Sequence, residues 1–166
     1  PSKDAGKIAL FRGLIRGALA LAGVVMAWGA FTAGLDAGMV YNDTFPLMGS
    51  TIYPTEMLHY KPMHRAFFEE PATVQFTHRV LAILLLLKIF MIVGKARGFN
   101  LPVRVARLFR ALWVVALLQI TLGISTIVTH VNIIVATAHQ AGAVTIMAIL
   151  VWLLHEIPIV EHEKQD

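Results

Sequence analysis

Two histidines within apolar segments are the side chains most able to carry chemistry. His78 and His139 each lie six residues into a predicted membrane-spanning segment. Both segments enter from the same side, so at 1.5 Å per helical residue both imidazoles lie about 9 Å below one membrane face. A polar side chain at this depth is costly unless it is paired or ligated. The pair can hold a planar macrocycle from both faces, or each histidine can hydrogen-bond to a neighbouring helix.

The other five histidines do not share that depth. His155 lies 16 residues beyond His139, about 24 Å along a helix, and His162 lies in the polar C-terminal tail. No Cys, Asp or Glu shares the depth of the pair within the apolar segments, which disfavours a zinc site. The remaining three fall on the loop side, where we expect them at the surface: His59, His64 and His130.

Two polar residues accompany His78. Arg79 follows it directly, and can either extend to lipid headgroups or pair with a carboxylate of a ligand whose polar edge faces the loop. Gln75 lies three residues before His78 on the same helical face. Because Gln is neutral, it cannot act as a general base. We expect Gln75 to hydrogen-bond the adjacent loop.

The elements that must position these side chains are membrane helices. The 166-residue chain is 57% hydrophobic and 14% charged, whereas soluble domains are about 45–50% apolar and about 25% charged. This composition excludes an ordinary soluble domain and a disordered chain. It predicts an all-α polytopic membrane protein, a single four-transmembrane-helix bundle over residues 1–166. The predicted spans are about 11–34, 72–93, 108–128 and 133–154.

A long outer loop, residues 35–71, joins the first two spans. Its prolines at positions 46, 54, 62 and 71 break any continuous helix, while its many aromatic and Met residues are unlike those of a free tail. Such a loop lies on the membrane surface or covers a site. The chain has no cysteine, which excludes disulfides, thiolate metal sites and cysteine nucleophiles.

Positive charge is distributed unevenly between the two ends of the predicted bundle. Four Lys or Arg residues precede or begin the first span, and five lie around the connection between spans two and three. The positive-inside rule places these flanks and the C-terminus on the cytoplasmic or matrix side. In a membrane protein the net charge of +4 indicates orientation, so we expect lipid and no nucleic acid as a partner.

Four strings of the sequence resemble one family. They are GAFTAGLDAGMVYNDTFPLMG at 29–49, AFFEEPATVQFTHR at 66–79, QITLGISTIV at 119–128 and ATAHQAGA at 136–143. Together they resemble the C-terminal half of heme A synthase, the cytochrome oxidase assembly enzyme of mitochondria and many bacteria. Among the branches of this family, these strings most resemble the mitochondrial and alphaproteobacterial sequences. The resemblance therefore implies a mitochondrial inner membrane or a bacterial plasma membrane.

The resemblance also implies a cofactor and its ligands. The family has two similar four-helix halves, of which the N-terminal one carries Glu-x-x-His and holds the substrate heme, while the C-terminal one holds a heme b. Carried over by motif, His78 in FTHR and His139 in AHQ are the two axial ligands of heme b, with Arg79 beside it. Gln75 stands where the other half has its catalytic Glu. No catalytic residue is therefore assigned in this chain.

Only one half is represented in the sequence, which leaves two hypotheses. The first is that the chain is the heme b half of a heme A synthase, which converts the C8 methyl of heme O to a formyl group. It then needs an N-terminal-half-like four-helix unit, or a second copy, for activity. The second is that it is an accessory membrane subunit of a respiratory complex, such as cytochrome c oxidase or a supercomplex, with or without heme.

Both termini are predicted to lie on the matrix or cytoplasmic side. Because the chain has no native cysteine, single cysteines in the 35–71 loop and in the basic connection at 94–107 can be labelled without background. The loop cysteine should react with a membrane-impermeant maleimide from the periplasm or intermembrane space, and the other should not. Labelling of the loop on the side of the basic flanks would contradict this topology.

Overall fold

The computed structural model describes residues 3–157, and their side chains from residue 6 onward. Four long helices and two short ones follow one another along the chain, and no β-sheet forms in this part of it. They are α1 (Lys3–Gly34), α2 (Glu56–His59), α3 (Met63–Glu69), α4 (Pro71–Ala96), α5 (Val103–Val128) and α6 (Ile133–Glu156). Each long helix contains one predicted apolar segment and is long and apolar enough to cross a membrane. The predicted all-α, four-span architecture is confirmed.

The four long helices form a ring of neighbours. α1 packs against α4 and α6, and α5 packs against the same two helices. Within the described residues α4 and α6 are not neighbours, so they stand diagonally across the bundle. The antiparallel course of the chain places the first residues of α4 and α6 at the same end. We call this the outer end, because the loop at 35–70 also lies there.

Side-chain caps set the starting points of α4 and α6. The Glu70 carboxylate accepts hydrogen bonds from the backbone N–H groups of Ala72 (2.9 Å) and Thr73 (2.6 Å), and Pro71 occupies the first helical position. Asn132 caps α6 in the same way, accepting from Ile134 and Val135. These caps satisfy backbone donors that would otherwise be unpaired. They also fix the register of both helices relative to the outer end.

The hydrophobic core lies in the half of the bundle away from the loop. Its buried side chains come from residues 11–22, 85–96, 105–116 and 146–157. Ile15, Leu112 and Leu150 are fully buried there, and the rings of Phe11 and Phe99 stack 4.9 Å apart. Arg12 donates hydrogen bonds to the carbonyl oxygens of Leu154 and Ile157. It thereby satisfies carbonyl groups at the C-terminal end of α6 that lack a partner within the helix. This inner half holds the four helices together.

The outer half of the bundle is packed differently. In the segments 23–34, 76–84, 117–128 and 133–145 no residue is buried. All four segments are apolar and flank the bundle axis at the level of the two histidines. A close-packed protein interior would bury several side chains over this length. The outer half is therefore less closely packed than the inner half.

The loop at 35–70 packs onto the outer end. Its two short helices, α2 and α3, both contact α4, and Phe68 of α3 joins Trp28 and Phe31 of α1 in an aromatic cluster with ring centres 5.5–6.0 Å apart. Buried Asn42 donates to the carbonyl oxygen of Ile127 at the end of α5 (2.6 Å). Tyr41 donates to Glu56 at 2.5 Å, and this hydrogen bond raises the pKa of Tyr41 to about 12. The loop is thus ordered, and it covers the outer end of the bundle.

Gln75 fastens this cover to α4. Its side chain is 2% exposed, and its Nε2 donates to the carbonyl oxygens of Ala37 (2.8 Å) and Val40 (2.7 Å). The expected hydrogen bond between Gln75 and the loop is confirmed. Without Gln75 the carbonyl oxygen of Val40 loses this donor, whereas that of Ala37 keeps the backbone N–H of Val40 at 3.3 Å.

Replacing Gln75 with Leu should loosen the first part of the loop. Two hydrogen bonds are lost, each worth about 0.5–1.5 kcal/mol, so local opening of residues 36–45 should become about 1–3 kcal/mol easier. Hydrogen–deuterium exchange measured by mass spectrometry should then be faster in that peptide and unchanged in the inner core. Gln140→Leu, at an exposed position of α6, is the control. Equal exchange in both variants would show that Gln75 does not fasten the loop.

Candidate functional site

His78 and His139 lie at matched depth on diagonal helices. His78 is seven residues after the first residue of α4, and His139 is six after the first residue of α6. At 1.5 Å per residue they lie about 10 Å and 9 Å from the outer end. Both are half-buried, and the Nδ1 atom of each is buried without a hydrogen-bond partner. The structure thus gives two imidazoles with unused nitrogen atoms in the outer half of the bundle.

Each imidazole ring rests on a glycine of a neighbouring helix. A Cβ atom at Gly29 of α1 would lie 3.3 Å from Cε1 of His78. A Cβ atom at Gly123 of α5 would lie 3.0 Å from Cε1 of His139. These separations are tighter than normal side-chain contacts, so any larger residue would push on the ring. By contrast, a Cβ at Gly23 of α1 would meet no atom within 4 Å.

Gln119 of α5 and Gly142 of α6 together hold the backbone around His139. Gln119 of α5 donates from Nε2 to the carbonyl oxygen of His139 at 2.9 Å. Its Oε1 atom, buried and without a partner, occupies the space where a Cβ of Gly142 would otherwise be. Gln119 and Gly123 lie one turn apart, so they contact the backbone and the ring of the same histidine. These contacts of Gln119 and Gly123 fix how α6 is rotated about its own axis relative to α5.

Arg79 turns toward the loop. Its Nη1 lies 3.4 Å from the carbonyl oxygen of Pro46, and its guanidinium carbon lies 5.3 Å from the centre of the Phe45 ring. Nε and Nη2 are buried and have no hydrogen-bond partner, and no carboxylate among residues 6–157 pairs with the side chain. Arg79 therefore offers charged donors beneath the loop, next to His78 in the chain.

The other histidines lie elsewhere. His59 and His64 are exposed in the loop, and exposed His130 pairs with Asp43 at 3.2 Å. His155 is exposed near the inner end of α6, and His162 is outside the described residues. Within the described part of the chain, no group of three or more His, Asp or Glu side chains could hold a metal ion.

This arrangement is suited to ligation rather than to proton transfer. The two imidazoles lie at matched depth on diagonal helices, and the neutral amide of Gln75 is engaged by the loop backbone. No Asp or Glu occurs in α4, or in α6 before its last residue. The donor set can hold one metal centre within a planar group, from both sides.

Sequence reasoning did not identify the residues that support the two histidines. Gly29, Gln119, Gly123 and Gly142 have no reactive group, so nothing in their chemistry marks them as part of a site. All four lie within the strings that carry the family resemblance. That coincidence was the available signal, and their role becomes visible only from the contacts between helices.

Comparisons with known proteins agree with the resemblance. The family model described as "Cytochrome oxidase assembly protein", COX15-CtaA, matches residues 2–151. Heme A synthase of Rhodospirillum centenum is 40% identical over 148 residues, which are 89% of this chain and 39% of that protein. Heme A synthase COX15 of Bos taurus is 39% identical over 129 residues, 78% of this chain and 31% of that protein.

A plant relative shows the same pattern of coverage. Heme A synthase COX15 of Arabidopsis thaliana is 38% identical over 137 residues, 82% of this chain and 30% of that protein. The chain thus spans between about a third and two fifths of the length of these relatives. No solved structure matches it. With its family model covering most of the sequence and four membrane-spanning helices, the chain is a multi-pass membrane protein that belongs to the COX15-CtaA family of cytochrome oxidase assembly proteins.

Proposed function

We propose that this chain is the heme b-binding four-helix unit of a heme A synthase, acting in the oxidation of heme O to heme A for cytochrome oxidase. One observation carries the proposal: His78 and His139 stand at matched depth on diagonal helices, each against a glycine that leaves room for its ring. The names of the relatives and the family supply the reaction.

The residues present fit a heme. A bis-histidine heme needs one imidazole on each face, space for the macrocycle between them and a polar group near its propionates. At the level of the histidines no residue of the four long helices is fully buried, which supports room for a group between them. The buried nitrogen atoms of both histidines lack partners, as do two nitrogen atoms of Arg79 beneath the loop. A heme b would be ligated by the two imidazoles, and its carboxylates are acceptors of the kind to which Arg79 can donate.

Each residue then has a definite task. When bound, the heme supplies one-electron redox chemistry. His78 and His139 would both bind its iron, which would leave no coordination site for oxygen or a substrate. Arg79 donates to a carboxylate at the outer edge, and the loop fastened by Gln75 shields that edge from water. Nothing in this set removes a proton from a methyl group, because Gln75 is neutral.

The oxidation itself is proposed to need a second four-helix unit. That unit supplies the Glu-x-x-His motif, and it is either an N-terminal-half polypeptide or a longer chain of which this sequence is one part. The coverage of 39% and 31% of two relatives agrees with this division. A second copy of the same chain is the other candidate, and it would lack the Glu.

Replacing either histidine with Ala should remove the low-spin heme b spectrum. One axial bond is lost in each variant, and the apolar outer half offers few substitute ligands. We expect the absorption spectrum of the purified chain to show high-spin heme or no heme for His78→Ala and His139→Ala. His155→Ala, exposed near the opposite end, is the matched control and should keep the wild-type spectrum. If both single variants also keep it, the ligand assignment is wrong.

A side chain at Gly123 should disturb the histidine that it supports. In Gly123→Ala the new methyl group lies about 3.0 Å from Cε1 of His139, so the ring must turn or shift. Groups that orient a metal ligand typically contribute 10–100-fold to affinity, so heme binding should weaken by about tenfold. Gly23→Ala, where the methyl group meets no atom within 4 Å, should bind heme normally. Equal heme titrations for the two variants would count against the role of Gly123.

The activity is tested by reconstitution. Purified alone and supplied with heme O, the chain should form no heme A, because it has neither a base nor an open coordination site. Co-expression with a four-helix unit that carries Glu-x-x-His should restore conversion, read by heme extraction and chromatography. Heme A from the isolated chain, or its loss in Gln75→Ala, would show that the assignment of this half is wrong. Stoichiometric copurification with an oxidase, without any such unit, would favour the accessory-subunit hypothesis instead.

A further inference from the structure

Lys88 places an ammonium group within the membrane-spanning helix α4. Its Nζ lies against α1, 3.1 Å from the position that a Cβ atom of Gly17 would occupy. It makes no hydrogen bond or ion pair with the residues that the structure describes. Lysines within membrane helices are rare and costly, and they usually have a partner that explains them.

The contacts between α1 and α4 give the depth of this ammonium group. His78 of α4 lies on Gly29, and Lys88 lies on Gly17, twelve residues away along α1. At 1.5 Å per residue the ammonium group is about 18 Å further in than the imidazole. His78 itself is about 10 Å from the outer end. The ammonium group therefore lies about 28 Å below that end, close to the far boundary of a hydrocarbon core of about 30 Å.

The charged residues nearest to this point along α1 and α4 are positive. Arg16 directly precedes Gly17 and is exposed, and Lys95 is exposed two turns beyond Lys88 toward the inner end of α4. No Asp or Glu occurs in α1 from Gly6 to Gly34 or anywhere in α4. We call the line of contact between α1 and α4 the seam, and its inner part is the stretch from Gly17 and Lys88 toward the inner end. The charged side chains along this stretch include Arg16, Lys88 and Lys95, which are all basic. A compensating anion must come from outside this part of the chain.

We propose that the inner part of the α1–α4 seam binds the phosphate of an anionic phospholipid, with Lys88 as its deepest contact and Arg16 at its rim. Because Gly17 has no side chain, the ammonium group of Lys88 can lie directly against α1. Exposed apolar residues, including Val24 of α1 and Leu84 and Leu87 of α4, give the acyl chains an apolar path toward the bilayer centre. Basic sites between helices at the cytoplasmic or matrix face bind such headgroups.

The depth of Lys88 favours a lipid over a protein partner. An ammonium group at the hydrocarbon boundary lies at the level of the phosphates of the inner leaflet, whose lipids are always present at high concentration. A carboxylate from a second membrane unit could also neutralise it. Such a unit would have to place an acidic residue at the same boundary, and the test below distinguishes it from a lipid.

The test is a lipid titration of the full chain purified in neutral detergent, followed by native mass spectrometry. Phosphatidylglycerol should bind saturably at one site, and phosphatidylcholine should bind more weakly. Lys88→Gln should lower the affinity for phosphatidylglycerol about fivefold, the typical contribution of one lysine near a membrane surface. Lys88→Arg should retain it. Arg107→Gln removes an exposed cation of α5 and should leave it unchanged.

Three results would overturn the proposal. Equal losses in Lys88→Gln and Arg107→Gln would mean non-specific attraction. Inorganic phosphate that binds with the same dependence on Lys88 would identify a free anion as the ligand. Unchanged lipid affinity together with loss of a copurifying chain in Lys88→Gln would identify a protein carboxylate. If Lys88→Gln fails to fold, Gly17→Leu fills the seam while keeping the charge, and it should lower lipid affinity as well; normal affinity in that variant would contradict the site.

Discussion

The rest of the structure depends on holding two imidazoles at one level across the diagonal of a membrane bundle. A polar ring in hydrocarbon needs a partner, and two rings can share one only if their helices start in register. Glu70 and Asn132 set those starts by capping α4 and α6. Gly29 and Gly123 then leave room for the rings. A change in a cap or a glycine therefore acts on the site even though none of these residues carries reactive chemistry.

The bundle divides stability and function between its two halves. The inner half is closely packed, with fully buried residues such as Ile89 and Leu150, and it holds the helices together without any polar group of the site. The outer half, which carries His78 and His139, lacks buried residues in its four long helices at the level of these histidines, and the loop covers its end through Asn42 and Gln75. Lys88 belongs to the inner half, where its ammonium group lies against Gly17 of α1.

Sequence reasoning could predict whatever depends on one segment at a time. Hydropathy and length give the four helices, counting along them gives the matched depth of His78 and His139, and neutrality gives the role of Gln75. It could not predict which helices are diagonal, because that depends on packing between distant segments. Nor could it identify the contacts of Gly123, or two short helices within a proline-rich loop, because both depend on tertiary neighbours. The heme and the second four-helix unit stay proposals that rest on the family and on the geometry together.

Near-infrared magnetic circular dichroism of the ferric chain, loaded with one equivalent of heme B, tests the central claim most directly. This method identifies the axial ligand pair of a low-spin heme independently of any substitution. We expect one low-spin centre per chain with the charge-transfer band of bis-imidazole ligation, because His78 and His139 are both proposed to ligate the iron. A high-spin signature, or the band of a histidine–methionine pair, would show that the two imidazoles do not face one metal and would contradict the account.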